Sequence, residues 1–505
     1  MTVVSRRAFL SGSGKVALGA GLAALGVPSL AACSSSTKSG GGGDGVVSYQ
    51  FLGNPNEGDA AAVSTALNAM LKEKGKSFTV SLEPVQNYTQ AMTLKSSAGQ
   101  LGDMFFTAPW ATDYYRLAAA KSLLALDDLL PAHAPTLWNS MAKTTWDAVR
   151  VNGKIYGAIN QQRFPKLWGF IAQQKLVAKY RFDVASISHY EELEPFLATI
   201  KQHEHGIVPW ATDSAGNNTV FNPELFGWDP VASAYGLAVR YDDANLQVFN
   251  MYDTPEFKAA AAVSRRWHEA GYALSSPLSA ADAAAQNSGG KVAVLAGQTG
   301  PTNPQYYPFP TVGKVLVPTP LLNTDGVSAT LTGINSHAGN PEQAVQLLEM
   351  LNSDRDFYNT ICFGIKGTHW VFTDESLGVV GFPSGQSAAN SKWNPNTDWV
   401  FGKQFNAYYR SVDDAKHKRW EAEAQVNRTA ATSKAIGFAL DTTPIKTQIA
   451  TLSAALGQYR PQVVNGLQDA DKGVSSLLKN LDNAGMQKVL AEAQKQLDTF
   501  RKSGG

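Results

Sequence analysis

Few residues in this 505-residue chain have the types and spacing of a catalytic or metal-binding motif. Ser11–Lys15 resembles part of a phosphate-binding loop, but Val16 stands where that motif needs Ser or Thr. His268 opens a zinc-protease pattern, yet Tyr272 occupies the position of its second histidine. His203–His205 could bind a metal through two imidazoles, although a solvated helix end, where histidine suits the negative end of the dipole, is the better interpretation. We therefore expect no catalytic residue, no metal site and no cofactor.

One cysteine lies in a context that indicates covalent modification. Residues 5–10, Ser-Arg-Arg-Ala-Phe-Leu, form a twin-arginine export pattern, and a mildly apolar run follows over residues 16–30. Cys33 comes directly after Leu-Ala-Ala, which resembles the lipobox of bacterial lipoproteins. A membrane span is disfavoured because the run contains glycines and falls short of roughly 18 apolar residues. We predict a signal peptide over residues 1–32, lipidation of Cys33 and a flexible tether over 33–45, which would hold the protein at the outer face of the bacterial cytoplasmic membrane.

Charge and cysteine content exclude some classes of partner. The chain carries a net charge of +1, and removal of Arg6, Arg7 and Lys15 with the signal peptide would leave −2. This near balance gives no reason to expect nucleic acid as a partner. Cys362 is then the one remaining cysteine, so we expect no disulfide and interpret Cys362 as a small buried apolar residue.

The elements that would position a site begin with alternating strands and helices. Strands are predicted over residues 46–52, 78–82 and 103–106, and helices over 59–71 and 88–98. This alternation predicts a parallel α/β sheet flanked by helices, in which ligands bind beyond the carboxyl ends of the strands. Two loops therefore become candidates, at residues 54–57 and 107–113.

The rest of the chain indicates a second α/β region and a helical end. Asn152 and Gly153 predict a hairpin turn. Further strands are predicted over residues 291–295 and 314–318, and Pro195 predicts a kink or a late start in a helix near residue 193. Residues 486–500 predict an amphipathic helix with one apolar face, formed by Leu490, Ala493, Leu497 and Phe500.

Several of these segments together resemble a known family. Residues 103–129, 152–159 and 331–344 are similar to segments of family 1 extracellular solute-binding proteins, the maltose-binding-like group. The motifs at residues 364–367, 394–399, 437–446 and 491–497 resemble a C-terminal domain of unknown function that marks a lipoprotein subgroup of ABC-transporter sugar binders.

The resemblance implies a class II periplasmic-binding-protein-like α/β fold of two lobes, each a wound sheet flanked by helices, with a helical C-terminal extension. It places the first lobe at residues 46–158 and 314–362, the second at 159–313, and a C-terminal region at 363–505 that packs mainly on the second lobe. The implied function is a monomeric, lipid-anchored substrate-binding protein that captures an oligosaccharide and delivers it to an ABC permease.

A sugar site needs an aromatic ring for the flat apolar sugar face and amide, carboxylate or guanidinium groups for the hydroxyls. Trp110 is the first candidate for stacking, with Trp210 as the opposing wall, while Trp370, Trp393 and Trp399 are expected in the core. Residues 152–159 resemble the family's crossing strand, which runs from the first lobe into the second. The polar candidates lie just after this crossing strand, at strand ends or in the two loops: Asn160, Gln161, Gln162, Arg163, Gln298, Thr299, Asn54, Glu57, Tyr88 and Asp113. An ordinary polar loop and a Trp packed on the lobe surface remain the simpler interpretations.

Three other functions fit the same sequence. A surface carbohydrate-active enzyme would share the aromatic residues and the export signal. A binder of peptides or other solutes would share the two lobes. A lipoprotein that scaffolds an envelope complex would lack a ligand-closed state.

Overall fold

The computed structural model describes residues 45–53, 57–300, 309–395 and 398–502. Its strands, in chain order, are β1 Val46–Leu52, β2 Thr79–Val85, β3 Met104–Thr107, β4 Arg150–Val151, β5 Lys154–Ile155, β6 Gly157–Ile159, β7 Trp168–Gln173, β8 Val208–Trp210, β9 Trp228–Ala232, β10 Leu237–Arg240, β11 Phe249–Asn250, β12 Val292–Gln298, β13 Thr311–Val315, β14 Leu321–Leu322, β15 Leu331–Ile334, β16 Val371–Asp374, β17 Val379–Gly381 and β18 Ala431–Thr432.

The α-helices are α1 Ala60–Glu73, α2 Tyr88–Ser97, α3 Tyr114–Ala119, α4 Leu129–His133, α5 Pro135–Asn139, α6 Lys143–Asp147, α7 Gln174–Tyr180, α8 Glu194–His203, α9 Pro255–Glu269, α10 Ala280–Ser288, α11 Thr324–Val327, α12 Pro341–Ser353, α13 Arg355–Phe363, α14 Val412–Lys416, α15 Arg419–Thr429, α16 Lys446–Val464, α17 Ala470–Asn483 and α18 Met486–Lys502. None of the helices in the described ranges has both the length and the hydropathy of a membrane span.

The first sheet has the strand order β2-β1-β3-β15-β6. β1 pairs in parallel with β2 and β3, whereas β15 runs antiparallel to β3 and β6. The α/β alternation predicted from the sequence is confirmed, and β1 has the predicted bounds, with its five central residues buried and its two end residues partly buried. The predicted hairpin is confirmed as well, with positive φ at both Asn152 and Gly153 between β4 and β5.

The second sheet has the order β13-β7-β12-β8 and its own hydrophobic core. β12 is antiparallel to β7 and parallel to β8. The strand predicted over residues 314–318 is displaced to β13, Thr311–Val315, and pairs with β7, so it lies in the second sheet. Pro195 lies in the first turn of α8, where its missing N–H costs no helix hydrogen bond, and this confirms the late start.

The C-terminal region divides between the two hydrophobic cores. Trp370, Trp393, Phe401 and Trp420 pack in the core of the first sheet together with Cys362. By contrast, the buried hydrophobic residues between Phe438 and Leu497 belong to the core of the second sheet, where Ala493 and Leu497 of the predicted amphipathic helix are fully buried.

The packing of residues 363–420 thus differs from the expected packing on the second lobe. The physical reason is that α13 packs on α1 and places the following hairpin and aromatic residues against the first core. Three segments connect the lobes, at residues 160–167, 316–330 and 430–435. β14 and β18 pair in parallel between the last two of these segments.

Candidate ligand-binding site

One edge of the first sheet gathers the loops that could hold a ligand. Leu331 at the start of β15 lies opposite both Thr107, the last residue of β3, and Ile159, the last residue of β6. The loops that follow β3 and β6 and the segment that precedes β15 therefore leave the sheet at the same edge. This is the position at which α/β proteins bind ligands.

Trp110 lies in the loop after β3 and is 55% exposed, an unusual exposure for so large an apolar side chain. Its indole Nε1 donates a hydrogen bond of 2.7 Å to the carbonyl oxygen of Ala329, just before β15. Its ring also contacts Phe106 at 5.7 Å and Trp399 at 6.1 Å between centroids. The indole is therefore fixed at its polar end and open to solvent over much of its surface, which is what a stacking platform requires.

Trp399 is the aromatic residue that sequence reasoning missed. We expected it in the core with Trp370 and Trp393, and those two are 8% and 1% exposed. Trp399 is only partly buried, and its ring lies 5.7 Å from Phe106 and beside Trp110. No signal in the sequence could have linked Trp399 to Trp110, because the loop that carries it is joined to β3 only by tertiary packing.

Tyr88 and Asn160 are two predicted site residues that the structure buries. The Tyr88 hydroxyl donates to the carbonyl oxygen of Phe106 at 2.6 Å, and burial raises the pKa of the phenol well above its usual range. The side-chain oxygen Oδ1 of Asn160 accepts a hydrogen bond from the Thr332 hydroxyl at 3.0 Å, while the side-chain nitrogen Nδ2 has no hydrogen-bond partner among the described residues. Of the two, Tyr88 packs against the cluster, with its ring centroid 6.0 Å from that of Phe106.

The amides and the guanidinium that follow Asn160 are held by contacts within the protein. Gln161 Nε2 donates to Asn352 Oδ1 at 2.9 Å, and Gln162 Nε2 donates to Thr330 Oγ1 at 2.8 Å.

Arg163 forms an ion pair of 3.0 Å with Glu423, and both of these side chains are less than one-tenth exposed. These contacts hold the crossing strand against α12 and α15, so the structure gives these three side chains a role in the connection between the lobes.

Candidates from the second lobe lie in different environments. Trp210 is 3% exposed between Tyr190 and Trp267, with ring centroids at 5.7 and 4.9 Å, so it belongs to the second core. Gln298, at the end of β12, is exposed, whereas Thr299 is buried and donates its backbone N–H to Leu167.

The last candidates are Asp113, Glu57 and Asn54. Asp113 is exposed and caps α3, where its carboxylate accepts the backbone N–H of Arg116 at 3.2 Å. Burial and, less strongly, the Asp113 charge raise the pKa of Tyr235. Glu57 is buried, and Asn54 lies outside the described residues.

Known proteins resemble this chain over most of its length. A family model for a domain of unknown function, DUF3502, matches residues 434–502. A carbohydrate ABC transporter substrate-binding protein of Streptococcus pneumoniae serotype 4 is 26% identical over 506 residues, which cover 98% of each chain.

Solved structures show the same fold. The N-glycan transport solute binding protein NgtS of Streptococcus pneumoniae matches with a TM-score of 0.78 at 22% identity, over 91% of this chain and 100% of its own. An extracellular solute-binding protein of Bifidobacterium longum subsp. infantis matches with a TM-score of 0.60 at 16% identity, over 90% and 98% of the two chains.

Two of the four C-terminal motifs, at residues 437–446 and 491–497, fall within the matched domain, and the other two precede it. The resemblance stated from the sequence is therefore confirmed: this chain has the fold of the extracellular solute-binding proteins and ends in the DUF3502 domain.

Proposed function

We propose that the protein is the substrate-binding component of an ABC importer and captures an oligosaccharide between its two lobes. The observation that carries the proposal is the Trp110 ring, exposed at the sheet edge while anchored to the Ala329 carbonyl oxygen and to Trp399. A ring held in this way can stack on a sugar face without losing conformational entropy on binding.

The relatives support the class of ligand. The streptococcal relative is named a carbohydrate ABC transporter substrate-binding protein, and NgtS has been solved with Man1GlcNAc and with Man5GlcNAc. On this basis the first ligands to test are oligosaccharides that contain mannose and N-acetylglucosamine. We further propose that Asp113, Tyr235 and Gln298 contact the sugar hydroxyls, since Asp113 and Gln298 are exposed and the Asp113 charge acts on Tyr235.

We also propose that Cys33 carries the lipid that holds the protein on the outer face of the membrane. Residues 33–45 would act as a tether that keeps the binder near its permease at high effective concentration. In cells fed a labelled fatty acid, the wild-type protein should incorporate label and Cys33→Ser should not. Label in the variant would refute the lipidation site.

The binding proposal is tested by titration of the purified protein with an oligosaccharide panel in a calorimeter, with a turnover assay in parallel. Light scattering on the same sample tests the expected monomer. The proposal holds if one class of sugar binds with one-to-one stoichiometry and is recovered intact. A sugar that the protein hydrolyses would favour the carbohydrate-active enzyme, and competition by peptides alone would favour a peptide binder.

A further inference from the structure

A second cavity lies away from the aromatic cluster of Trp110. Its volume is about 720 Å³, it is open to solvent on one side, and it is lined by residues 140–142 and 144–145 of the first lobe, the turn at 403–409 and one face of α15. Phe164, Leu322 and Thr432, from the three segments that connect the lobes, complete its wall. Pockets of about 300–1,000 Å³ are typical of sites for small ligands. Of the residues predicted for the main site, this cavity shares only Gln161.

The charges around this cavity are unbalanced. Arg355, Lys403 and Arg428 line it against a single carboxylate, that of Glu421. None of the three cations forms an ion pair within the described part of the chain. A terminal nitrogen of Arg428 donates a hydrogen bond of 2.6 Å to the side-chain carbonyl oxygen of Gln425. The Glu421 carboxylate already accepts the Tyr409 hydroxyl at 3.0 Å. The cavity lining therefore carries three cationic side chains and one carboxylate, a net charge of about +2.

One short turn connects Arg355 to the backbone of Lys403, and both side chains line the cavity. The Arg355 Nε donates to the backbone carbonyl oxygen of Asn406 at 3.2 Å, which leaves its two terminal nitrogens available. The Asn406 backbone N–H in turn donates to the Lys403 carbonyl oxygen at 2.9 Å. A guanidinium and an ammonium one turn apart can hold a single carboxylate through charge-assisted hydrogen bonds.

The rest of the lining is aromatic and polar. The rings of Tyr409 and Trp420 are stacked, with centroids 6.3 Å apart and planes at 14°. Phe405, two residues after Lys403 in the same turn, also lines the cavity. Asn427 is fixed by hydrogen bonds to the backbone of Gln162 and Phe164, so the wall next to the crossing strand is rigid. Rings beside fixed polar groups suit a ligand with a flat apolar face and hydroxyls.

We propose that this cavity is a second ligand site that takes an acidic carbohydrate, with the carboxylate on Lys403 and Arg355 and the sugar ring against Phe405 and Tyr409. A neutral sugar would leave the three cations without partners. A small inorganic anion would use neither the volume nor the rings. The site is separate from the main cleft, and the proposal does not rest on the proposed function.

Glucuronate is the probe, with glucose as the matched neutral sugar, and binding is measured by titration followed by ligand-observed NMR. We expect glucuronate to bind and glucose to bind at least tenfold more weakly. Lys403→Gln should weaken glucuronate binding about tenfold, since a hydrogen bond to a charged group is lost. Lys154→Gln, which removes an exposed lysine that is not part of the cavity, should leave it unchanged.

Ala424→Phe provides a test that does not depend on charge. Ala424 lies on the cavity face of α15, so a larger ring there should fill the space and abolish glucuronate binding. The same variant should keep its oligosaccharide affinity at the main cleft, and Trp110→Ala should leave glucuronate binding unchanged. Absence of glucuronate binding, equal binding of phosphate, or binding that survives both Lys403→Gln and Ala424→Phe would overturn the proposal.

Discussion

The replacement of Trp110 by alanine separates a binding role from a packing role. If the ring stacks on a sugar, the variant should weaken binding by about 1–3 kcal/mol, which is roughly a 5- to 150-fold rise in Kd. The variant should lose affinity because 55% of the Trp110 side chain is open to solvent in the free protein and is therefore free to contact a ligand. Trp110→Phe, which keeps a ring but loses the hydrogen bond, should lie between the wild type and alanine.

The cost of the same change to folding can be worked out from the contacts. The variant loses one hydrogen bond of 2.7 Å, which contributes about 0.5–1.5 kcal/mol. It also loses two ring contacts, with Phe106 and Trp399, at about 0.5–1.5 kcal/mol each for well-formed pairs. These terms sum to about 1.5–4.5 kcal/mol, and we expect a loss in the lower half of that range, because both ring contacts are tilted and the side chain is 55% exposed.

The assay is calorimetric titration with the best oligosaccharide of the panel, together with a thermal melt of each free variant. Phe382→Ala is the matched control, because Phe382 is 37% exposed just beyond β17 and has no place in the site. Phe382→Ala should leave the sugar Kd unchanged. If Trp110→Ala lowers the melting temperature and leaves Kd unchanged, the ring is a packing residue and the reasoning about stacking is refuted.

Three further changes test the core, the connection between the lobes and a buried acid. Trp210→Ala should destabilise the protein by about 3–5 kcal/mol, because the ring is buried between two aromatic neighbours, and denaturant melts would measure this. Glu423→Leu should cost about 3–5 kcal/mol because it leaves the Arg163 guanidinium buried without its partner, and the double variant with Arg163→Met should recover part of that loss in the same melts. Burial raises the pKa of Glu224 from 4.5 to about 7, so the folded protein holds a proton that the unfolded chain releases above pH 4.5. This group therefore contributes stability below pH 4.5 that is lost as the pH rises towards 7, and Glu224→Gln should flatten the fall of melting temperature over that range.

Each of these expectations has a result that contradicts it. A Trp210→Ala protein with near wild-type stability and lost sugar binding would restore Trp210 to the site. Equal stability of the single Glu423→Leu variant and the wild type would show that the pair with Arg163 is dispensable. An unchanged pH profile in Glu224→Gln would mean that another group titrates in that range.

The sequence predicts those features that depend on local pattern. Strand β1 and helix α18 follow from local sequence pattern. In the structure the central part of β1 is buried on both faces, and α18 is buried on one face. The position of Trp110 follows from topology, since the loop after β3 must leave the sheet at its carboxyl edge.

The features that could not be predicted depend on partners that lie far away in the chain. The polar row after β6 has the composition of a ligand site. The hydrogen-bond partners of Gln161, Gln162 and Arg163 lie 191, 168 and 260 residues away in the chain. No local pattern could reveal that these distant residues already occupy the polar groups of the row. Trp210 ends a strand as predicted, but β8 lies beside β12 and α9 places Trp267 against the ring.

The most direct test of the central claim is the calorimetric titration of the purified protein with oligosaccharides of mannose and N-acetylglucosamine, in parallel with a turnover assay. The account predicts one-to-one binding of at least one of them, weakened by Trp110→Ala and left intact by Phe382→Ala, with the sugar recovered unchanged. A protein that binds no carbohydrate of a broad panel, or that hydrolyses one, would contradict it.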